Sequence, residues 1–171
     1  MPTIRRARPE ELDSIWTLVR AAIALMNAQG SFQWSDDYPT REDFAQPLSR
    51  GELYAACGED GELLGVAVFN TFEDPCYEEL DGWTARPPAL VIHKMAVDPA
   101  AQGKGTAAAL FAYAIELTRT MGLRSLRGDT YILNQKMQHL FQKFGFRRVG
   151  EVHFPDRPLE FPVYEKVLFP E

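Results

Sequence analysis

Cysteine is scarce: Cys57 and Cys76 are the only two in 171 residues, and neither belongs to a C-x-x-C pair or another metal-ligand spacing. This excludes a disulfide scaffold and a thiolate metal site, and no metal is expected; Cys57, inside an apolar run, reads as core packing. Basic residues are also short, with 18 Lys and Arg against 24 Asp and Glu and a formal net charge of −6. Nucleic acid is therefore not an expected partner, because phosphate affinity needs clustered cations. A positively charged ligand suits the balance better than an acidic one. No apolar run reaches 18 residues and the N-terminus has no apolar signal core, so a cytoplasmic protein without membrane attachment is expected. A G-x-G-x-x-G fingerprint, a P-loop, repeats and low-complexity tracts are all missing as well.

The composition that remains is globular, 46% hydrophobic and 25% charged, and residues 1–171 are expected to build one domain around one core. The most informative stretch is Val97-Asp98-Pro99-Ala100-Ala101-Gln102-Gly103-Lys104-Gly105-Thr106-Ala107. An apolar run, Ala89–Val97, arrives as a buried strand and is stopped by Asp98-Pro99. The glycine turn then passes into a helical pattern that continues to about Met121. A strand, a tight turn and a helix N-terminus gather free backbone N–H groups at the positive end of a helix dipole, an arrangement suited to phosphate-like anions. A glycine-bearing turn with nothing bound is the alternative reading of the same residues.

The rest of the chain is read in order. Thr3–Arg8 alternates as a strand, and Pro9-Glu10-Glu11 opens a helix whose Leu12, Ile15, Trp16, Val19, Ile23 and Met26 share one face. Ser31–Pro39 is an aromatic loop, and Thr40 caps a short helix, Arg41–Leu48, with Asp43 as the capping-box acid. Leu53–Cys57 and Leu63–Thr71 form a hairpin across Gly58-Glu59-Asp60-Gly61. Phe72–Pro88 is acidic and irregular. Leu123–Tyr131 is a strand, Asn134 caps a helix from Gln135 to Phe144 before Gly145, and Phe146–Phe154 and Val163–Phe169 are closing strands. The order β-α-α-β-β-β-α-β-α-β-β predicts an α/β fold, a central mixed sheet with helices on both faces. Ligands in such sheets sit where strands diverge at their carboxyl ends.

This order, with Gln102-x-x-Gly105-x-Ala107 at its centre, resembles the GNAT superfamily of acetyl-CoA-dependent N-acetyltransferases, whose turn reads [QR]-x-x-G-x-[GA]. The resemblance spans about residues 3 to 169. Asn134 stands where the family has an asparagine that contacts pantetheine, Lys143-Phe144-Gly145-Phe146 matches its K-x-G-F ending, and Gln33-Trp34 with Tyr38-Pro39 looks like a bacterial subgroup of small members. The resemblance implies acetyl-CoA as co-substrate and transfer to a primary amine of a small molecule or peptide by direct attack in a ternary complex. It implies that Gln102, Gly103, Lys104, Gly105, Thr106 and Ala107 hold the pyrophosphate, and that Met95, Ala96 and Val97 with Asn134 align the pantetheine. A homodimer through closing-strand edges is compatible with it.

Proton handling departs from the family pattern. The usual general acid is a tyrosine four residues before the glycine of K-x-G-F, and that position is Phe141, which has no proton to give. Tyr131 is the nearest alternative by sequence, and Tyr164 another. Alternation on the central strand places Val91, His93, Met95 and Val97 on one face. The usual glutamate position is Val91; His93 occupies the other place the family uses for a base, and an imidazole suits proton transfer near neutral pH. A core histidine satisfied by a carbonyl is the alternative for His93; His139 reads as a surface group and His153 as part of a closing strand. The acceptor side of the family nominates Phe32, Trp34 and Tyr38, with the acids Asp36, Asp37, Glu73 and Asp74; packing of Trp34 and solvation of the acids are the competing readings. Phe141 also keeps open a different class of protein, a non-catalytic CoA-binding or regulatory module.

Overall fold

In the computed structural model, which describes residues 1–169, seven strands form one mixed sheet in the order β1-β2-β3-β4-β5-β7-β6. The last two residues of the expected 1–171 domain lie outside the described residues. The strands are β1 (Thr3–Arg6), β2 (Leu53–Cys57), β3 (Leu63–Asn70), β4 (Leu90–Val97), β5 (Ser125–Asp129), β6 (Arg147–Val152) and β7 (Phe161–Val167). The helices are α1 (Leu12–Ala28), α2 (Glu42–Ser49), α3 (Thr106–Thr120) and α4 (Gln135–Lys143). The expected α/β class and element order hold. The chain divides into two compact units, Met1–Phe69 with Lys94–Tyr113, and Asn70–His93 with the chain from Ala114 on.

In the first unit β1, β2 and β3 are antiparallel neighbours, with Arg6 opposite Tyr54 and Leu53 opposite Val68. Side chains alternate across such strands. Leu53, Val66 and Val68 therefore meet one side, where Ile15, Leu18, Val19 and Ile23 of α1 and Phe44 and Leu48 of α2 complete a core. Tyr54 and Phe69 lie on the other side and pack against Tyr113 of α3, at ring-centroid distances of 5.4 and 6.5 Å. Helices thus cover both faces of this part of the sheet. Thr40 and Asp43 do form the reciprocal cap, with Thr40 N–H donating to Asp43 Oδ2 at 2.7 Å, although α2 itself begins one residue later than the sequence suggests.

In the second unit β4 and β5 are parallel and paired from Leu90↔Leu126 to Ile92↔Gly128. β7 then inserts antiparallel between β5 and β6. It begins two residues earlier than expected and includes Pro162, which needs no donor there while its carbonyl accepts from Thr130 N–H at 3.2 Å. The Phe72–Pro88 connection is not wholly irregular: Pro75–Glu79 is a 3-10 turn capped by Asp74, which accepts from Cys76 N–H.

β1 stops at Arg6, not Arg8, because Pro9–Glu11 forms a 3-10 turn that leads into α1. Glu11 organises that entry. It accepts two parallel bonds from the Arg5 guanidinium, each 2.8 Å, and one from Arg8 N–H at 2.7 Å. The Arg5 bonds, aided by Arg8 and opposed by partial burial, hold the Glu11 carboxyl down at about 2. A depressed carboxyl contributes stability above its unfolded value and loses it as pH falls toward the folded one. Glu11→Gln should therefore lower stability at pH 7 by about 1–2 kcal/mol. In urea unfolding between pH 5 and pH 2 the wild type should lose more stability than the variant; parallel pH curves would contradict this role.

Candidate functional site

Asp98 ends β4 and accepts from Ala100 N–H at 2.9 Å, so a short 3-10 turn, Pro99–Ala101, precedes the glycine turn. Gly103 and Gly105 have φ of +82° and +73°, values that side-chain-bearing residues rarely adopt. Among the described residues no acceptor receives the backbone N–H groups from Gln102 to Ala108; Ala109 is the first to donate, to Gly105 O at 2.9 Å. Thr106 is 3% exposed, and its Oγ1 is buried without a partner. Below it Gly65 permits a close approach, since a Cβ there would lie 2.8 Å from Thr106 Cγ2 and 2.9 Å from Ala96 O. A row of open N–H groups at the start of a 15-residue helix beside an unpaired hydroxyl fits an anionic diphosphate.

Within the same unit, Ala96 is buried while Met95 and Val97 are half-buried. Lys94 has φ +49°, a left-handed conformation inside the strand. It interrupts the two-residue alternation, so the expectation that His93, Met95 and Val97 share a face with Val91 fails beyond His93. Burial lowers the Lys94 ammonium, with Asp43 opposing the shift. In the aromatic loop Phe32 and Tyr38 are 54% and 40% exposed, whereas Trp34 is turned into the α1–α2 core at 6%. Asn27 holds this loop by donating to Ser31 O and Trp34 O.

In the second unit His93 Nε2 lies 2.8 Å from Asn70 Oδ1, which also accepts from Phe72 N–H. The second bond identifies that atom as the oxygen, so Nε2 is the donor. Tyr131 is buried against Phe161 in the cluster of Tyr77, Val91, Val152 and Val163. Phe141 stacks face to face on Tyr164 at 4.4 Å, with Gly128 leaving room for its ring edge. Burial raises the Tyr164 hydroxyl, with Arg148 opposing. Asn134 caps α4 with Oδ1, accepting from Met137 N–H at 3.1 Å. His139 is exposed, and so is His153, which lies just past β6 and not in the closing strand, because β6 ends at Val152.

A polar row in this unit escaped the sequence reading. Register places Arg127 of β5 and Arg147 of β6 on either side of Glu165 of β7. Glu165, 2% exposed, accepts from Thr84 N–H, Ala85 N–H and Arg147 Nη2 at 2.8–3.2 Å. Arg127, equally buried, donates to Glu73 at 2.6 Å and to Ala85 O at 2.7 Å, and lies 3.8 Å over the Trp83 ring. Together they hold the Thr71–Pro87 segment over a cavity of about 710 Å³ lined by Glu73, Asp74, Tyr77, Trp83 and Arg127, among others. Tyr77 OH donates to Asp129 Oδ2 at 2.5 Å. Burial, reinforced by Asp74 and opposed by the Tyr77 bond, pushes the Asp129 carboxyl up to about 6. The signal available in sequence was a charge inside each of two short apolar strands, Ser-Leu-Arg-Gly-Asp and Phe-Pro-Val-Tyr-Glu.

Comparison with known proteins agrees with this architecture. Residues 18–146 match the acetyltransferase (GNAT) family. No curated protein matches the chain significantly. Among solved structures, a GNAT-family acetyltransferase of Streptococcus agalactiae is similar over 98% of this chain and 95% of its own, at 28% identity and a TM-score of 0.83. A Staphylococcus aureus protein is 30% identical over 96% of this chain and 98% of its own, with a TM-score of 0.73. A Salmonella typhimurium protein solved with its cofactor acetyl-CoA shares the fold at 17% identity, covering 100% and 96% of the two chains with a TM-score of 0.73. Among the described residues no helix is long and apolar enough to cross a membrane.

The polar row makes a direct prediction. Glu165→Ala leaves two loop N–H groups and Arg147 without their acceptor, and should destabilise the protein by about 3–5 kcal/mol. Chemical denaturation measures the loss, and a change below about 1 kcal/mol would show that the carboxylate does not hold the segment.

Proposed function

This chain belongs to the acetyltransferase (GNAT) family, and we propose that it transfers the acetyl group of acetyl-CoA to a primary amine of a small molecule or peptide by direct attack in a ternary complex. The observation that carries the reading is the glycine turn, with its open N–H groups from Gln102 to Ala108 at the head of α3. In this reading Gln102, Gly103, Lys104, Gly105, Thr106 and Ala107 cradle the pyrophosphate, using backbone donors and the unpaired Thr106 hydroxyl. The backbone of Met95, Ala96 and Val97 aligns the pantetheine and polarises the thioester carbonyl. Asn134 has Oδ1 committed to its helix cap and offers Nδ2. Acetyl-CoA, when bound, supplies the acyl group and leaves as the thiol.

Direct attack is favoured over an acyl-cysteine route. Cys57 is buried, and burial with the nearby Asp74 pushes the Cys76 thiol up to about 12, so neither offers a ready thiolate. His93 takes or relays a proton of the amine, with its ring oriented by Asn70. Phe32 and Tyr38 present exposed rings suited to the carrier of that amine, Trp34 supports their loop from the core, and Tyr131 is the nearest hydroxyl by sequence for the leaving thiolate. A cytoplasmic site of action, one domain over 1–171 and an optional homodimer belong to the same reading, the first supported by the two unpaired thiols.

Phe141 favours a second reading, a CoA-binding module without turnover, because a phenyl ring packed on Tyr164 stands at the family's general-acid position. A panel of primary amines monitored with a thiol reagent separates the two. Acetyl-CoA binding with amine-dependent thiol release is the expected result; binding without release for every amine would establish the module instead. Gly105→Ala, which forces a side chain into a left-handed turn, should weaken acetyl-CoA binding about tenfold in calorimetry. Unchanged affinity would remove the turn from the donor site.

A further inference from the structure

Parallel pairing of β4 with β5 ends at Ile92↔Gly128, and the next residue on each strand carries a titratable side chain. Val91 and Arg127 are register partners, so two residues further on His93 and Asp129 project from the same face of the sheet. Asp129 is the last residue of β5. Its Oδ2 is held by Tyr77 OH at 2.5 Å, and its Oδ1 has no partner among the described residues. No ion pair neutralises it there either. Arg127, the cation on its own strand and face, is committed to Glu73, Ala85 O and the Trp83 ring. Asp129 is half-buried, with one oxygen oriented by the phenol and the other without a protein donor, so a cation from outside the protein can complete it.

We propose that Asp129 is the catalytic carboxylate that binds the ammonium form of the acceptor amine through Oδ1 and takes its proton, with Tyr77 as its positioning residue. The proposal rests on the acetyl-transfer reading above; of the two roles given there to His93 it keeps the relay and assigns the first proton to Asp129. One ammonium N–H bond breaks and its proton goes to Asp129 Oδ1. The freed lone pair forms the N–C bond to the acetyl carbon as the C–S bond breaks. A second nitrogen-bound proton then reaches the departing thiolate through solvent and yields the thiol, and Asp129 returns its proton to water, so each turnover releases one proton. A carboxyl near 6 is ionised at neutral pH and is a better base than an ordinary aspartate. Burial, the Tyr77 bond and Asp74 set its titration; the other titratable or charged side chains on the elements around it are Cys76 of the Pro75–Glu79 turn, His93 of β4 and Arg127 of β5, and β7 pairs with it at the uncharged Val163.

The test is kcat/KM against pH, with an amine that the wild type acetylates, for wild type, Asp129→Asn, Tyr77→Phe and His93→Gln. Asp129→Asn should lose at least about a hundredfold in kcat/KM, with acetyl-CoA affinity changed by less than about twofold. Tyr77→Phe removes a bond that favours the ionised carboxyl, so its acidic limb should move to higher pH while turnover persists. His93→Gln should leave the position of that limb unchanged. Near-wild-type turnover by Asp129→Asn, or an acidic limb that follows His93 and ignores Tyr77, overturns the assignment. Should Asp129→Asn fail to fold, the direction of the Tyr77→Phe shift decides alone. Absence of turnover in the wild type with every amine would instead defeat the acetyl-transfer reading, an outcome distinct from active Asp129→Asn.

Discussion

The carboxylate of Glu165 is the interaction on which the Thr71–Pro87 side of this structure depends. It is buried in β7, yet it faces a segment that has few backbone partners of its own, and it accepts two consecutive N–H groups of that segment together with Arg147. A charge in that position is stable only because its lone pairs are filled. Once Thr84 and Ala85 are fixed, Ala85 O is in place for Arg127 and Trp83 is in place to stack on it. The same segment brings Tyr77 to Asp129. A loop that sequence would leave loose becomes a wall of defined chemistry.

The donor side and the acceptor side of the proposed reaction are built differently. The glycine turn works through main-chain donors, two left-handed glycines and the start of a helix, so its chemistry is carried by conformation and tolerates most changes in exposed side chains. The Thr71–Pro87 side works through specific groups: two arginines, three carboxylates, an indole and a phenol. Here a conservative exchange is not conservative, since the planar guanidinium of Arg127 both hydrogen-bonds and stacks.

This difference also explains what could be read in the sequence. Gln102 to Ala107, the α4 cap at Asn134 and the Thr40–Asp43 cap are local signals, complete within a few residues, and each is found where its spacing places it. The helical stripe of Ile15, Val19 and Ile23 and the β2–β3 hairpin were legible for the same reason. The row Arg127–Glu165–Arg147 was not, because its members become neighbours only when β7 inserts between β5 and β6, and that register is a property of the whole sheet. The tie from Tyr77 to Asp129 spans 52 positions, and no periodicity announces it. The face assignment along β4 failed at one residue, Lys94, whose backbone conformation is not a compositional signal.

That residue has a consequence for how the chain can change over time. A left-handed residue inside a strand acts as a parity switch: it consumes one position without advancing the in-and-out count. The segment between His93 and Asp98 is therefore constrained in length as well as in composition. Loss of Lys94 itself would restore strict alternation and leave Met95, Ala96 and Val97 on their present faces, whereas gain or loss of an extended residue beside it, or a return of position 94 to extended backbone, would turn the residues beyond over as a block. Most substitutions along β4 can be absorbed one at a time, but insertion or deletion of an extended residue would rewrite the strand's whole carboxyl end in one step.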